Sequence, residues 1–331
     1  MRILAVLLLV SATSAQSFFI PDNAPTGGSN VIPFGHSTTT SWENQKYQTM
    51  ALAADINNAA VLQITDLAFP PSLSGLRHFD SIEIVMAQTS AATMSTTYAA
   101  NLSANVQTVL SAKNYEWNQT ANAWNRIGLD RPYLYIAAQG ANIVLQITVS
   151  GARLATTSTA WPGHASATRP RLYAYNYTGA PPAAGTLSTS AAIKWEIVTD
   201  GNDLSLFGKG CQGTGGVVAL TTTGSAKLGG SATIDLSGAP ANALNALIVN
   251  ISRLEPPLDL AIIGAPGCSM YLLDAIAVYG VASSTGSRSI PVTLPTSGQG
   301  FRAYVQYFVR DAAANNLGWT SSNYARFLLG N

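Results

Sequence analysis

Apolar and polar residues alternate along one short segment after another of this chain, and a period of two leaves little but β-structure open to it. The longest such run is FRAYVQYFVR, residues 301–310, whose core face is expected to be Phe301, Ala303, Val305, Tyr307 and Val309. Ile193, Trp195 and Ile197 alternate with Lys194 and Glu196, which predicts a strand with one buried and one wet face. Ile234 with Leu236, and Ile290, Val292 and Leu294, repeat the pattern, and Leu247 to Ile251 reads as a buried strand. Further β-rich runs bounded by Gly, Pro, Asn or Ser are Ser81 to Ala87, Val106 to Leu110, Tyr133 to Ala137, Ile143 to Val149 and Leu172 to Tyr177. In Val61 to Phe69 the apolar positions Leu62 and Ile64, then Leu67 and Phe69, switch phase, which predicts a bulge near Asp66. In the first half of the chain only Thr93 to Asn105 reads as a helical turn, and its Ser and Thr content weakens the helical signal.

Many short strands in a chain of 331 residues predict an all-β protein of two β-sandwich domains, the first jelly-roll-like and the second immunoglobulin-like. The polar turn Thr199-Asp200-Gly201-Asn202-Asp203 is the best boundary. The expected organisation is a signal peptide at 1–15, an N-terminal extension or edge strand at 16–30, a first sandwich at 31–202 and a second at 203–331.

The leader reading rests on Arg2, the apolar run Ile3 to Val10 and the small-residue site Thr13-Ser14-Ala15, after which Gln16 would begin the mature chain. That run is about half of the roughly 20 residues a bilayer span needs, so no membrane span is expected. An exported chain meets an oxidising environment, and the two cysteines, Cys211 and Cys268, are then expected to pair. Closing so long a loop stabilises the fold by about 4 kcal/mol on the chain-entropy account. Seventeen Lys plus Arg stand against sixteen Asp plus Glu, and charged residues make up only 10% of the chain. Such a surface has no field to gather nucleic acid.

The residues give little support to catalysis. Only His36, His78 and His164 could serve as a base, and all three read as loop or surface residues. No G-x-S-x-G elbow or H-E-x-x-H pair is present. Glycoside hydrolysis needs two convergent carboxylates. Glu43, Glu83, Glu116, Glu196 and Glu255 are dispersed in sequence, and Glu83 and Glu196 fall on expected wet faces. Asp200, Asn202 and Asp203 have the oxygen-ligand look of a structural calcium clip, against an ordinary Asx turn between domains. No other cofactor is implied.

Tyr115, Trp117, Trp124, Tyr133 and Tyr135 cluster along the first domain. A hairpin would set Trp117 and Trp124 on neighbouring strands, either as a sugar-binding surface or as a cap on the core. Phe18, Phe19 and Ile20 precede a turn-rich run, and would dock as an edge strand on their own domain or add as a strand to a neighbouring subunit.

The motifs IPDNAPTGGSNVIPFG (Ile20 to Gly35), WENQKYQT (Trp42 to Thr49), TRPRLY (Thr168 to Tyr173), and GCQGTGG followed by PLDL and GAPGC resemble a family of secreted two-domain β-sandwich proteins of planctomycete-type environmental bacteria. The resemblance covers nearly the whole mature chain. It implies an accessory or surface module at the C-terminus, and Cys211 and Cys268 match its pattern. The family pattern also has a cysteine near the TGGSN segment and another near FPPS, where this chain has Ser29 and Ser72, so no second staple is expected.

The expected function is therefore a non-catalytic secreted or cell-surface structural protein, forming homo-oligomers or filaments by strand addition. The alternative is a module binding extracellular polysaccharide through Trp117, Trp124, Tyr115 and Tyr133. A hydrolase with a hidden site ranks third.

Overall fold

A computed structural model describes residues 17–35, 42–154, 161–164, 169–189, 191–199, 201–273 and 276–331. The leader at 1–15, Gln16, His36 and Asp200 lie outside the described residues.

The chain is nearly all β, as the alternation implies. Its backbone is one long antiparallel sheet with smaller sheets layered on it. The sheet begins with Thr186–Ser188, then Arg171–Tyr175, Gln45–Ala51, Asn142–Ser150, Gly75–Thr89 and Ala104–Gln119. It continues through Asp203–Phe207, Trp319–Leu328, Arg302–Arg310 and Leu244–Asn250 to Ile276–Val281. The pair Gly75–Thr89 and Ala104–Gln119 is longer than the alternation alone marks, because register shifts between Ile84 and Val85 and between Met86 and Gln88 interrupt the pattern. The only helical turn in that connection is Tyr98–Asn101.

A four-stranded sheet covers the first half: Ser17–Ile20, Trp195–Val198, Asp66–Phe69 and Asn125–Arg126. Phe18, Ile20, Leu67, Phe69, Trp195 and Ile197 pack from it against Phe79, Ile82, Ile84 and Trp117 of the long sheet. A three-stranded sheet of Ala219–Gly224, Ser231–Ser237 and Arg288–Thr293 covers the second half. Leu220, Ile234 and Leu236 meet Val305, Tyr307 and Val309 there, so the expected core face of the last period-two run is correct for those three. Phe301 lies before the strand and is exposed.

Three expectations are corrected. The phase switch at Asp66 is a change of sheet, not a bulge: Val61–Ile64 pairs with Tyr133–Ile136, while Asp66–Phe69 pairs with Trp195–Val198. The polar face of Trp195–Val198 is not wet, because Lys194 and Glu196 are buried. The N-terminal segment covers them, Lys194 bonding Asp22 and the Ala24 carbonyl and Glu196 accepting from Ser17. His164 lies in a strand rather than a loop.

The two halves meet at Phe207, which pairs with Trp117 on one side and Tyr324 on the other. Beneath that point an aromatic chain runs from Tyr115 through Phe207 and Tyr324 to Tyr271 and Tyr304. The first core continues across the junction to Ala246 and Ile248. Cys211 and Cys268 form the expected disulfide, buried with Leu260 and Ala265. Among the described residues no helix is long and apolar enough to cross a membrane.

Candidate functional site

At the junction of the halves lies a cavity of about 420 Å³. The ends of the long strand pair, where Gly75 faces Gln119, form one wall. Asp203 to Leu206 form the other, and the turn carrying Trp124 closes the side. Asn125 shapes that turn: its carboxamide accepts from the Thr120 N–H at 2.8 Å and donates to the Ala123 carbonyl at 2.6 Å. Asn118 is likewise committed, donating to the Gly208 carbonyl at 2.9 Å. Gln119 is only 7% exposed, and its Nε2 has no hydrogen-bond partner. Arg126 is held 3.5 Å from Glu196.

The aromatic residues singled out in the sequence do not act together. Trp117, Tyr115 and Tyr133 are buried core residues whose polar atoms are all bonded to backbone, donating to the carbonyls of Arg126, Ile127 and Asn105. Trp117 and Trp124 are not cross-strand neighbours, since the chain leaves the long sheet after Gln119 and enters the four-stranded sheet at Asn125. Trp124 alone reaches the cavity. Its Nε1 donates to the Asn23 carbonyl at 3.3 Å and its ring centroid is 5.0 Å from that of Phe19. Gln119, Arg126 and Asp203 went unread as cavity residues. The available signal was the run of polar residues between the two tryptophans.

Phe18, Phe19 and Ile20 dock on their own chain. Ser17–Ile20 pairs antiparallel with Trp195–Val198 of the same chain, with Phe18 and Ile20 in the core. Of the three residues read as a calcium clip, Asn202 and Asp203 are described, and both are hydrogen-bonded within the chain. Arg326 and Ser205 bond Asp203 Oδ2 at 2.7 and 2.5 Å, while Asn202 bridges Ser225 and the Asn331 carbonyl. Among the described residues no cluster of three or more His, Cys, Asp or Glu side chains could hold a metal.

A second cavity of about 230 Å³ lies beside Glu116, His78, Lys209 and Tyr271. Glu116 accepts from the Tyr271 hydroxyl at 2.8 Å and lies 3.1 Å from Lys209 Nζ and 3.6 Å from His78 Nδ1. Burial pushes its carboxyl up, but the bonds from His78 and Tyr271 and the Lys209 charge together outweigh burial and hold it below the usual carboxylate range. Burial and the nearby Glu116 charge push the Tyr271 hydroxyl up, keeping it a neutral donor. This cluster ties Glu116 of the first half to Lys209 and Tyr271 of the second.

At the end of the long sheet, Ile276–Val281 is an edge strand with the sequence IAVYGV. Ile276 is 61% exposed, Val278 39%, Tyr279 68% and Val281 59%. Arg288 reaches it from the facing sheet over Gly280, donating to the Val278 and Tyr279 carbonyls at 3.2 Å and to Asn245 Oδ1 at 2.7 Å.

No family model and no curated protein sequence matches the chain. Among solved structures it is similar to Bifidobacterium dentium beta-glucuronidase complexed with coumarin-3-O-glucuronide, at 10% identity and a TM-score of 0.19, over 88% of this chain and 42% of that one. It is also similar to the T=1 Penaeus vannamei nodavirus, at 9% identity and a TM-score of 0.13, over 96% of this chain and 98% of that one. Both likenesses are too slight to bear on function.

Proposed function

We propose that this chain is a non-catalytic, exported structural protein that assembles outside the cell or on its surface by pairing sheet edges. The observation that carries the reading is the Ile276–Val281 strand. A sheet edge presents unpaired N–H and C=O groups, and proteins that stay single blunt it with charge, proline or a covering element. IAVYGV has neither charge nor proline, and large apolar side chains stand exposed on both of its faces. Two copies meeting antiparallel across a twofold axis would present the same patch to each other, so one strand serves both partners. Arg288 lies across the middle of the strand and would tune the association rather than forbid it, because its hydrogen bonds exchange for those of an incoming strand. Export accords with the leader read at 1–15, and the buried Cys211–Cys268 bridge suits an oxidising compartment.

Sedimentation velocity of residues 16–331 tests this. Over about a hundredfold range of concentration the chain is expected to shift from monomer to larger species, as mass action requires. Val278→Lys and Tyr279→Lys should hold it monomeric. A wild-type chain that stays monomeric throughout would refute edge assembly.

A further inference from the structure

We propose that the cavity beside Trp124 is a subsite for a neutral carbohydrate, with the sugar ring against the indole and its hydroxyls on Gln119 and Asp203. The volume of about 420 Å³ lies within the roughly 300 to 1,000 Å³ of small-ligand pockets.

The platform is fixed before any ligand arrives. Trp124 is half-buried, its Nε1 tied to the Asn23 carbonyl and its ring backed by Phe19. A side chain already held in one rotamer loses little entropy on binding. An amphipathic indole is suited to a sugar, whose ring carries apolar C–H groups and polar hydroxyls.

The polar groups around it divide into two sets. Asn118 and Asn125 are spent on backbone carbonyls and shape the wall. Gln119 Nε2 is buried with no partner, an unfavourable state that a hydroxyl acceptor would relieve. The terminal torsion of glutamine is broad, so the carboxamide can turn toward the cavity and give that nitrogen a hydroxyl acceptor. Asp203 supplies the opposite function, an acceptor held in place through Oδ2 by Arg326 and Ser205.

Charge selects the class. Arg126 and Asp203 line the same space, so a cation meets one and an anion meets the other, whereas a neutral polyol can use both kinds of group. The subsite is far in sequence from the Ile276–Val281 edge and does not depend on assembly through it.

Calorimetric titration of residues 16–331 with the β-1,4-linked hexasaccharides of glucose, mannose, xylose and N-acetylglucosamine tests the subsite. At least one of the four is expected to bind, and Trp124→Ala and Gln119→Leu should each weaken that binding about tenfold or more. Trp124 also supports Phe19, so Gln119→Leu, checked for an unchanged melting temperature, decides the matter if Trp124→Ala fails to fold. Binding of none of the four, or binding that Gln119→Leu leaves unchanged, overturns the proposal.

Discussion

Asp66 shows how one side chain directs the path of the chain. It is fully buried at the point where the chain leaves one sheet for another, and its Oδ1 accepts from the N–H groups of Leu67, Gly128 and Leu129 at 2.8, 3.1 and 3.2 Å. The other oxygen meets the Arg326 guanidinium, which also bonds Asp203. Asp66 thereby joins the first half to the last strand of the second. Removing one partner of such a pair strands the other charge in the interior, so Arg326→Met is expected to lower stability by about 3–5 kcal/mol in urea titration. A loss below about 1 kcal/mol would show that the pair is dispensable. Glu116 makes a comparable tie that titrates. Its folded pKa lies below the unfolded value of about 4.3. The unfolded chain therefore takes up the proton first. The stability Glu116 contributes is whole above that value and is lost as pH falls through the folded one. The stability gap between wild type and Glu116→Gln should be present at about pH 5 and close below about pH 4. A gap unchanged down to about pH 3 would contradict this assignment.

The N-terminal strand closes one side of the four-stranded sheet within its own chain. Ser17–Ile20 covers the open side of Trp195–Val198, and Phe18 is buried between the layers. Phe18→Ala is expected to cost about 3–5 kcal/mol, read from the chemical denaturation midpoint, because a buried ring leaves a cavity. A cost under about 1 kcal/mol would mean that the strand is only loosely docked. Alternation made the strands at 193–197 and 301–310 legible, since a period of two survives without knowledge of any partner. It misread the second face of Trp195–Val198. A lysine or glutamate reads as solvated unless its partner is known, and Asp22 and Ser17 lie more than 170 residues away in sequence. The cavity was hidden for the same reason: Gln119 and Asp203 become neighbours only through the pairing of Phe207 with Trp117. Trp117 and Trp124 looked equivalent in sequence, yet one fills the core and the other lines the cavity. The disulfide was legible because a chain with two cysteines allows one intramolecular pairing.

At the scale of the whole molecule, one sheet passes through both halves and ends in two unlike edges. Thr186–Ser188 is short and polar in part, while Ile276–Val281 is longer and apolar on both faces. Gly280 gives the Arg288 guanidinium room to lie on that second edge, since a Cβ there would fall 2.3 Å from its central carbon. Assembly would extend the sheet from one copy into the next, placing the Trp124 cavities of the partners well apart from the joint. Hydrogen exchange of the backbone amides across 276–281, followed as protein concentration rises, reads the edge directly. Protection that grows with concentration and centres on this strand is the expected result; exchange independent of concentration there, or protection gained only at other segments, would contradict assembly through this edge.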